Sequence, residues 1–377
     1  MTIKTQLLFL ISLFLVSCSK SLYPTKAPDQ VVIYPAPPDT ARIQFLKKIS
    51  SSVDVTGDRK SFSKFIFGEE DNIPINKPYG ITTSKGKILI CDTYIHGIDI
   101  IDIENNTFKQ FIPGGKGELK VPINCFVDKN GNLYVADSER KQIVVFDKDG
   151  KYRNSFGDPE NFKPTDVFVQ DDKVWVTNLE GHQINVYSGD SKNELLSKFP
   201  DPNSSEVGKL YSPVNLFVTD SKVYVSDFGD FKIKEYNSKG EFKKSLGSYG
   251  KRVGQFARPK GIAVDRDSNL YVVDAGFENV QIFNKDGKIL MFFGGPYKGP
   301  GDMWLPAKVA IDYDNIRYFE KYVDPEYRLK YIIYVTNQFG PDKINIYGAI
   351  EPIKPGEKAI KQQRMKKIRT QGKAYWF

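Results

Sequence analysis

Three side chains with oxygen donors, Asn124, Asp166 and Asn215, each stand two residues after a proline, at Pro122, Pro164 and Pro213. Amide and carboxylate oxygens gathered in this way suit a hard cation such as Ca²⁺. Lys308, in the same position after Pro306, brings a positive charge to the group and opposes a cation there. Two readings are therefore open for these four residues: a weakly held Ca ion, or polar residues solvated by water. The only histidines, His96 and His182, are too few for a histidine-built zinc or haem centre, and no Cys-x-x-Cys-His sequence is present to attach a haem. Cys91 and Cys125 lie in apolar segments where either a disulfide or a small buried thiol fits. No catalytic residue is assigned.

The elements that carry these residues repeat. A proline opens an apolar strand, a Gly- or Asn-containing turn follows, a second strand ends in Asp or Asn, and a third apolar strand comes next. The prolines are Pro78, Pro122, Pro164, Pro213, Pro259 and Pro306, spaced by 44, 42, 49, 46 and 47 residues. Units of this length with short strands signal propeller blades, because a single such sheet cannot bury both faces without neighbours. The clearest copy runs Pro259-Lys260-Gly261-Ile262-Ala263-Val264-Asp265, then Asn269 to Asp274, Val280 to Phe283 and Lys288 to Gly294. Alternating apolar residues rich in β-branched and aromatic types, separated by polar turns, predict four antiparallel strands.

This copy closely resembles the NHL repeat, and the six copies span roughly residues 42 to 348. The resemblance implies an all-β, six-bladed β-propeller of NHL type. The sixth copy stops after strands at Val309–Asp312, Tyr331–Thr336 and Lys343–Tyr347, while Ala41 to Ile49 has outer-strand character ahead of the first copy. That N-terminal strand is expected to complete the last blade and close the ring, removing free edges. In such a ring Gly80, Asn124, Asp166, Asn215, Gly261 and Lys308 face the upper opening of the central channel. Asn124, Asp166 and Asn215 resemble part of the cation set of propeller lactonases, although the glutamate expected there is missing. Asp92, Asp137, Asn178, Asp227, Asp274 and Asn337 close the second strands, where Asx side chains set turns by accepting backbone N–H groups.

The N-terminus carries Lys4, an apolar run from Leu7 to Val16, and then Ser17 and Cys18. That run is too short to span a bilayer and sits where a secretory signal belongs. Leu15-Val16-Ser17-Cys18 resembles the bacterial lipobox, which implies cleavage before an acylated Cys18 and a membrane anchor of two acyl chains on a diacylglycerol. Ser19 after it implies an outer-membrane lipoprotein, on either the periplasmic or the surface face. The expected organisation is a signal peptide over 1–17, a lipidated proline-rich tether over 18–41, the propeller over 42–348 and a basic tail over 349–377. After Ile353, eight Lys and Arg face a single Glu357, so most of the chain's +8 charge belongs to the tail and the propeller is near neutral. Nucleic acid is therefore not an expected partner, and the propeller is expected to be monomeric.

Aromatic residues suggest docking surfaces. Tyr297 and Trp304 belong to the long upper loop from Gly294 to Leu305, and Tyr318, Tyr322 and Tyr327 belong to an insertion in the last blade. Tyrosine-rich segments either serve interfaces or pack under their own blade. The proline-rich leader to Ile43 and the stretch Thr336 to Lys343 resemble NHL lipoproteins of multihaem cytochrome systems. The resemblance implies a non-enzymatic, lipid-anchored binding propeller of the cell envelope with a protein partner, possible cytochromes included, and no cofactor of its own. The competing reading is a metal-dependent hydrolase or lyase, lactonase-like or amidating-lyase-like, acting at the channel rim.

Overall fold

The computed structural model describes residues 31–57, 72–158, 160–201, 203 and 205–353. Cys18 with its signal, the first part of the tether and the tail from residue 354 lie outside the described residues. Six antiparallel sheets stand around a central axis, each beginning at its repeat proline. Blade one, for example, runs Pro78–Ser84, Lys87–Asp92, Gly97–Asp102 and Thr107–Phe111 from the channel outwards. First strands begin, and second strands end, on what is here the upper face. The turns between strands one and two and between strands three and four lie on the lower face.

The lower turns follow from their sequences. Asp128 accepts hydrogen bonds from the N–H groups of Asn130 and Asn132, and Asp265 does the same for Asp267 and Asn269. Asp147, Asn237 and Asn284 hold the three-to-four turns in the same manner, each with a glycine (Gly150, Gly240, Gly287) at φ of 80 to 83°. An L side chain seldom adopts that conformation, so glycine fits there without strain. Between blades the apolar side chains form separate cores. Cys91, Leu119, Val135 and Phe146 pack between blades one and two, and Ile88, Ile332, Tyr334 and Ile346 between blades six and one.

The N-terminal strand closes the ring as the sequence predicts. The last sheet is built of Pro306–Asp312, Tyr327–Asn337, Ile344–Pro352, Ile43–Ile49 and Ile33–Tyr34, in that order outwards. Ile43 pairs with Ala349 and Ile49 with Ile344, and both isoleucines are buried. Two boundaries move. Ile33 and Tyr34, read from their prolines as tether, add a fifth strand, because the Tyr34 ring packs near Phe293 and Tyr347 and its hydroxyl donates to the carbonyl of Gly301 at 2.7 Å. The third strand of blade six also runs to Pro352, past the expected end at 348, paired along an 11-residue second strand.

Deleting residues 41–50 removes Ala41, Ile43 and Ile49 from two cores and bares the edge of blade six. At ~1.5–3 kcal/mol for each fully buried large aliphatic side chain, the deletion is expected to cost more than about 3 kcal/mol. Urea unfolding followed by tryptophan fluorescence measures it, and a variant with the parent's midpoint would show that closure lies elsewhere.

Candidate functional site

At the top of every blade the chain arrives from the previous blade and turns into the innermost strand. The backbone N–H groups just ahead of the repeat proline have no strand partner there. In blade one Asp92 accepts from the N–H groups of Asn76 (2.6 Å), Lys77 (3.0 Å) and Tyr94 (2.9 Å). Asp137 binds Lys120, Val121 and Arg140, Asp227 binds Tyr211 and Ser212, and Asp274 binds Ala257, Arg258 and Gly276. Where the residue is an amide, its oxygen accepts and its nitrogen donates. Asn178 takes the N–H of Lys163 and gives to Asn161, while Asn337 takes that of Trp304 and gives to Asp342. All six side chains are buried. Their role is the structural one expected of Asx residues that close a turn.

The histidines belong to the same upper turns. His96 and His182 have φ of 54° and 53°, as have Lys141, Phe231 and Glu278 in the matching turn position of other blades. Each histidine meets a backbone carbonyl of the next loop through Nδ1, His96 that of Lys120 and His182 that of Tyr211. They lie in different blades and share no site.

The channel residues lie one step inside this ring. Lys308 reaches across the channel from blade six to blade three, with its Nζ 2.5 Å from Asp166 Oδ2 and 2.9 Å from Asn215 Oδ1. Asp166 also accepts from the N–H groups of Leu216 and Val167, each at 3.0 Å. Burial pushes the Asp166 carboxyl upward in pKa, and the Lys308 ammonium with these two N–H groups pulls it back. Asn124 turns aside and donates to the carbonyl of Thr165 at 2.7 Å. The structure thus brings Asp166, Asn215 and Lys308 together and leaves Asn124 beside them. The glycines permit this closeness, since a Cβ on Gly80 would lie 2.4 Å from Asn124 Oδ1 and one on Gly261 would lie 2.5 Å from Lys308 Cα. Two of the three oxygen-bearing residues that suit Ca²⁺ are thus engaged by an internal ammonium, so this donor set does not fit a hard cation. Among the described residues no three His, Cys, Asp or Glu side chains gather as a metal site.

Above this plug the mouth is basic, which sequence reasoning missed. Lys260 stacks over the Tyr79 ring at 5.1 Å, and burial, then Arg258 and Lys77, lower its pKa to about 8. Burial, then the charge of Asp166, raises the Tyr79 hydroxyl to about 12. Among the described residues Lys77, Arg258 and Lys260 have no acidic partner. The signal was present as Lys77-Pro78 and Arg258-Pro259-Lys260, but only the ring shows that these residues share one opening.

A second missed feature is Asp99. The same position of the third strand carries Asp99, Val144, Asn185, Lys234, Gln281 and Asn345 in blades one to six, each opposite an apolar residue of the second strand. In blade four Lys234 pairs with the clamp carboxylate Asp227 at 3.2 Å. In blade one Asp99 faces the clamp carboxylate Asp92 instead. Burial, then the charge of Asp92, pushes Asp99 up to about 8, and its Oδ2 receives no hydrogen bond.

The remaining candidates divide. Tyr297 and Trp304 stack with ring centroids 6.0 Å apart on the upper face, while Met303 caps the blade interior. In the insertion, Ile316–Phe319 and Glu320–Tyr322 form a short helix and a 3-10 turn. Phe319 and Val323 are buried, and Tyr318, Tyr322 and Tyr327 pack partly buried against the same core. The insertion thus underpins blades six and one. Gln44 holds it through the carbonyl of Tyr322 and the N–H of Asp324, and Asn315 accepts from Gly86. Cys91 and Cys125 are free, buried thiols in one core, and burial and the adjacent Cys125 raise the Cys91 thiol well above its usual pKa.

Fold and site together define a six-bladed β-propeller whose central channel is crossed by a buried ion pair. No family model matches the chain, and neither does any curated protein. Solved structures do resemble it. A structural genomics protein of unknown function from Bacteroides thetaiotaomicron VPI-5482 has a TM-score of 0.58 at 16% identity, over 81% of this chain and 76% of that one. A gluconolactonase from Xanthomonas campestris has a TM-score of 0.54 at 16% identity, over 88% and 97%. A streptogramin B lyase has 0.50 at 17% identity, over 73% and 84%. At these identities the likeness is one of fold.

Two outcomes follow from the buried charges. Lys308→Met leaves the Asp166 carboxylate unpaired and is expected to cost about 3–5 kcal/mol, whereas Lys308→Met with Asp166→Asn recovers most of that loss. Urea titrations of the two variants decide, and a single variant as stable as the parent would deny the pair its role. For Asp99 the folded pKa lies above the unfolded one, so the folded state holds an extra proton between about pH 4 and pH 8. Stability is then full below that window and falls as pH rises through it, by up to about 1.4 kcal/mol per pH unit. Asp99→Asn should flatten this slope in melts taken from pH 4 to pH 9, and an unchanged slope would assign it to another group.

Proposed function

We propose that this chain is a non-enzymatic, lipid-anchored binding propeller of NHL type in the cell envelope, held by Cys18 and docking a protein partner on its upper face. The observation that carries the reading is the contrast between the two faces. Tyr94, Ile112, Val207, Tyr211, Tyr249, Val253 and Phe339 are exposed on the upper loops, whereas the other exposed large apolar side chains among the described residues, Leu195, Leu196, Leu290 and Phe292 on outer strands and Val31 near the N-terminal strand, are not on the lower turns. Tyr94 and Tyr249 are 69% and 67% exposed, and aromatic residues at such levels are characteristic of docking surfaces. The basic residues Lys77, Arg258 and Lys260 stand among them, with Lys77 5.9 Å from the Phe339 ring centroid. The partner that fits is therefore a protein with an acidic patch around an apolar centre. The resemblance to NHL lipoproteins of cytochrome systems makes a multihaem cytochrome the first partner to try.

The catalytic alternative draws on the structural neighbours, among them a streptogramin B lyase and a gluconolactonase. Against it stands the Lys308 ammonium, which engages two of the oxygen-bearing residues that a metal-dependent hydrolase would need.

Photo-crosslinking residues placed at Tyr94 and Tyr249, and as controls at Ser238 and Asp286 on lower turns, test the reading in intact cells. One discrete adduct is expected from the upper positions only, weakened by Lys77→Glu with Arg258→Glu and by added salt. Cys18→Ala should move the protein into the soluble fraction. Adducts from the lower turns alone, or membrane retention without Cys18, would overturn the corresponding half of the proposal.

A further inference from the structure

Below the Lys308–Asp166 pair the channel changes character. Four residues after each repeat proline stand Thr82, Phe126, Phe168, Phe217, Ala263 and Ala310. They form one layer, because each pairs with the equivalent residue of its second strand: Leu89, Tyr134, Trp175, Tyr224, Tyr271 and Tyr334. The large residues are not spread evenly. Blades two, three and four supply three phenylalanines in succession, with ring centroids 4.5 Å apart from Phe126 to Phe168 and 5.0 Å from Phe168 to Phe217. The three opposite blades supply Ala263, Ala310 and Thr82.

This distribution leaves a chamber of ≈ 260 Å³, with Thr83, Val127 and Ile311 towards its lower end and Asp166 and Lys308 at its upper end. The three phenylalanines are only half-buried. Rings that keep apolar surface facing a void leave part of their burial energy unrealised. Two features of the upper end limit what could cover them. Lys308 and Asp166 neutralise each other, so an ion placed beneath would lose hydration without gaining a counter-charge. The polar layer is also unsaturated, since the buried atoms Asn215 Nδ2 and Asn124 Oδ1 have no hydrogen-bond partner.

We propose that this lower chamber is a binding site for an uncharged planar aromatic molecule of one or two rings that carries a carbonyl oxygen. Its rings lie along the Phe126–Phe168–Phe217 wall and its oxygen accepts a hydrogen bond from the Lys308 layer. The chamber lies slightly below the usual range of small-molecule pockets, ~300–1,000 Å³, which excludes larger ligands. The site is on the opposite side of the plug from the upper docking face, so either can fail without the other.

The probe is 2-acetylnaphthalene, titrated against the full propeller by calorimetry and by its own fluorescence, with naphthalene and 2-naphthoate as comparisons. Saturable binding of one molecule per chain is expected, at least tenfold tighter than for either comparison. Ala310→Phe should abolish it while the protein melts no lower than the parent, because three other blades already carry phenylalanine in this position. Should that variant fail to fold, Ala310→Leu and Phe168→Leu provide the same reading, each weakening the probe at least threefold. No saturable binding to the parent, equal binding by Ala310→Phe, or preference for the charged 2-naphthoate would overturn the proposal.

Discussion

Six buried Asx side chains at the top of the second strands hold the ring in register. Each one takes the N–H groups of a chain segment that has left one blade and not yet paired in the next. A buried amide without a partner costs about 1–3 kcal/mol, so loss of any of these contacts would release the loop that fixes the next blade's inner strand. The repeat proline belongs to the same device, because it brings no N–H of its own to this crowded point. Everything that faces the channel is positioned by where those inner strands begin.

The variation from blade to blade then gives the molecule its features. Behind the clamp carboxylate of blade four stands Lys234, a buried counter-ion bonded also to Asp230 at 2.9 Å. Behind that of blade one stands Asp99, a carboxyl whose pKa is pushed up by burial and then by the adjacent Asp92 carboxylate. The same position thus stabilises one blade by attraction and makes another sensitive to pH. In the channel Lys308 plays the part of an internal cation, and its reach from blade six to blade three ties opposite sides of the ring together. A buried pair of this kind gains little over an apolar filling but is costly to break on one side. It also divides the channel into a basic mouth above and an aromatic chamber below.

The two faces are chemically distinct for a reason of chain geometry. Most lower turns are short hairpins closed by Asp, Asn and Gly, and the long insertion of blade six turns its apolar residues inward, with Phe319 and Val323 buried. Upper loops carry the chain between blades, are longer, and present Tyr94, Tyr249 and Phe339 to solvent. The upper surface therefore varies more from blade to blade than the lower one.

The amino-acid sequence determined the number of blades, the strand order and the closure of the ring by Ile43–Ile49, because each depends on local alternation and on turn residues at a fixed period. It also determined that Asp92 and its counterparts are structural, since an Asx at a strand end has few other roles. Its proline-rich stretch gave a tether that runs too far, because Tyr34 is held by Gly301, Phe293 and Tyr347, all distant in the chain. The grouping of Asp166, Asn215 and Lys308, residues up to 142 positions apart, followed from the repeat register; that the lysine bonds the other two required the ring diameter. The raised pKa of Asp99, the convergence of Lys77, Arg258 and Lys260, and the three-phenylalanine wall arise only when the strands pack and the blades close on one axis. Charge, burial and void volume are properties of that closure, and no local window of the chain contains them.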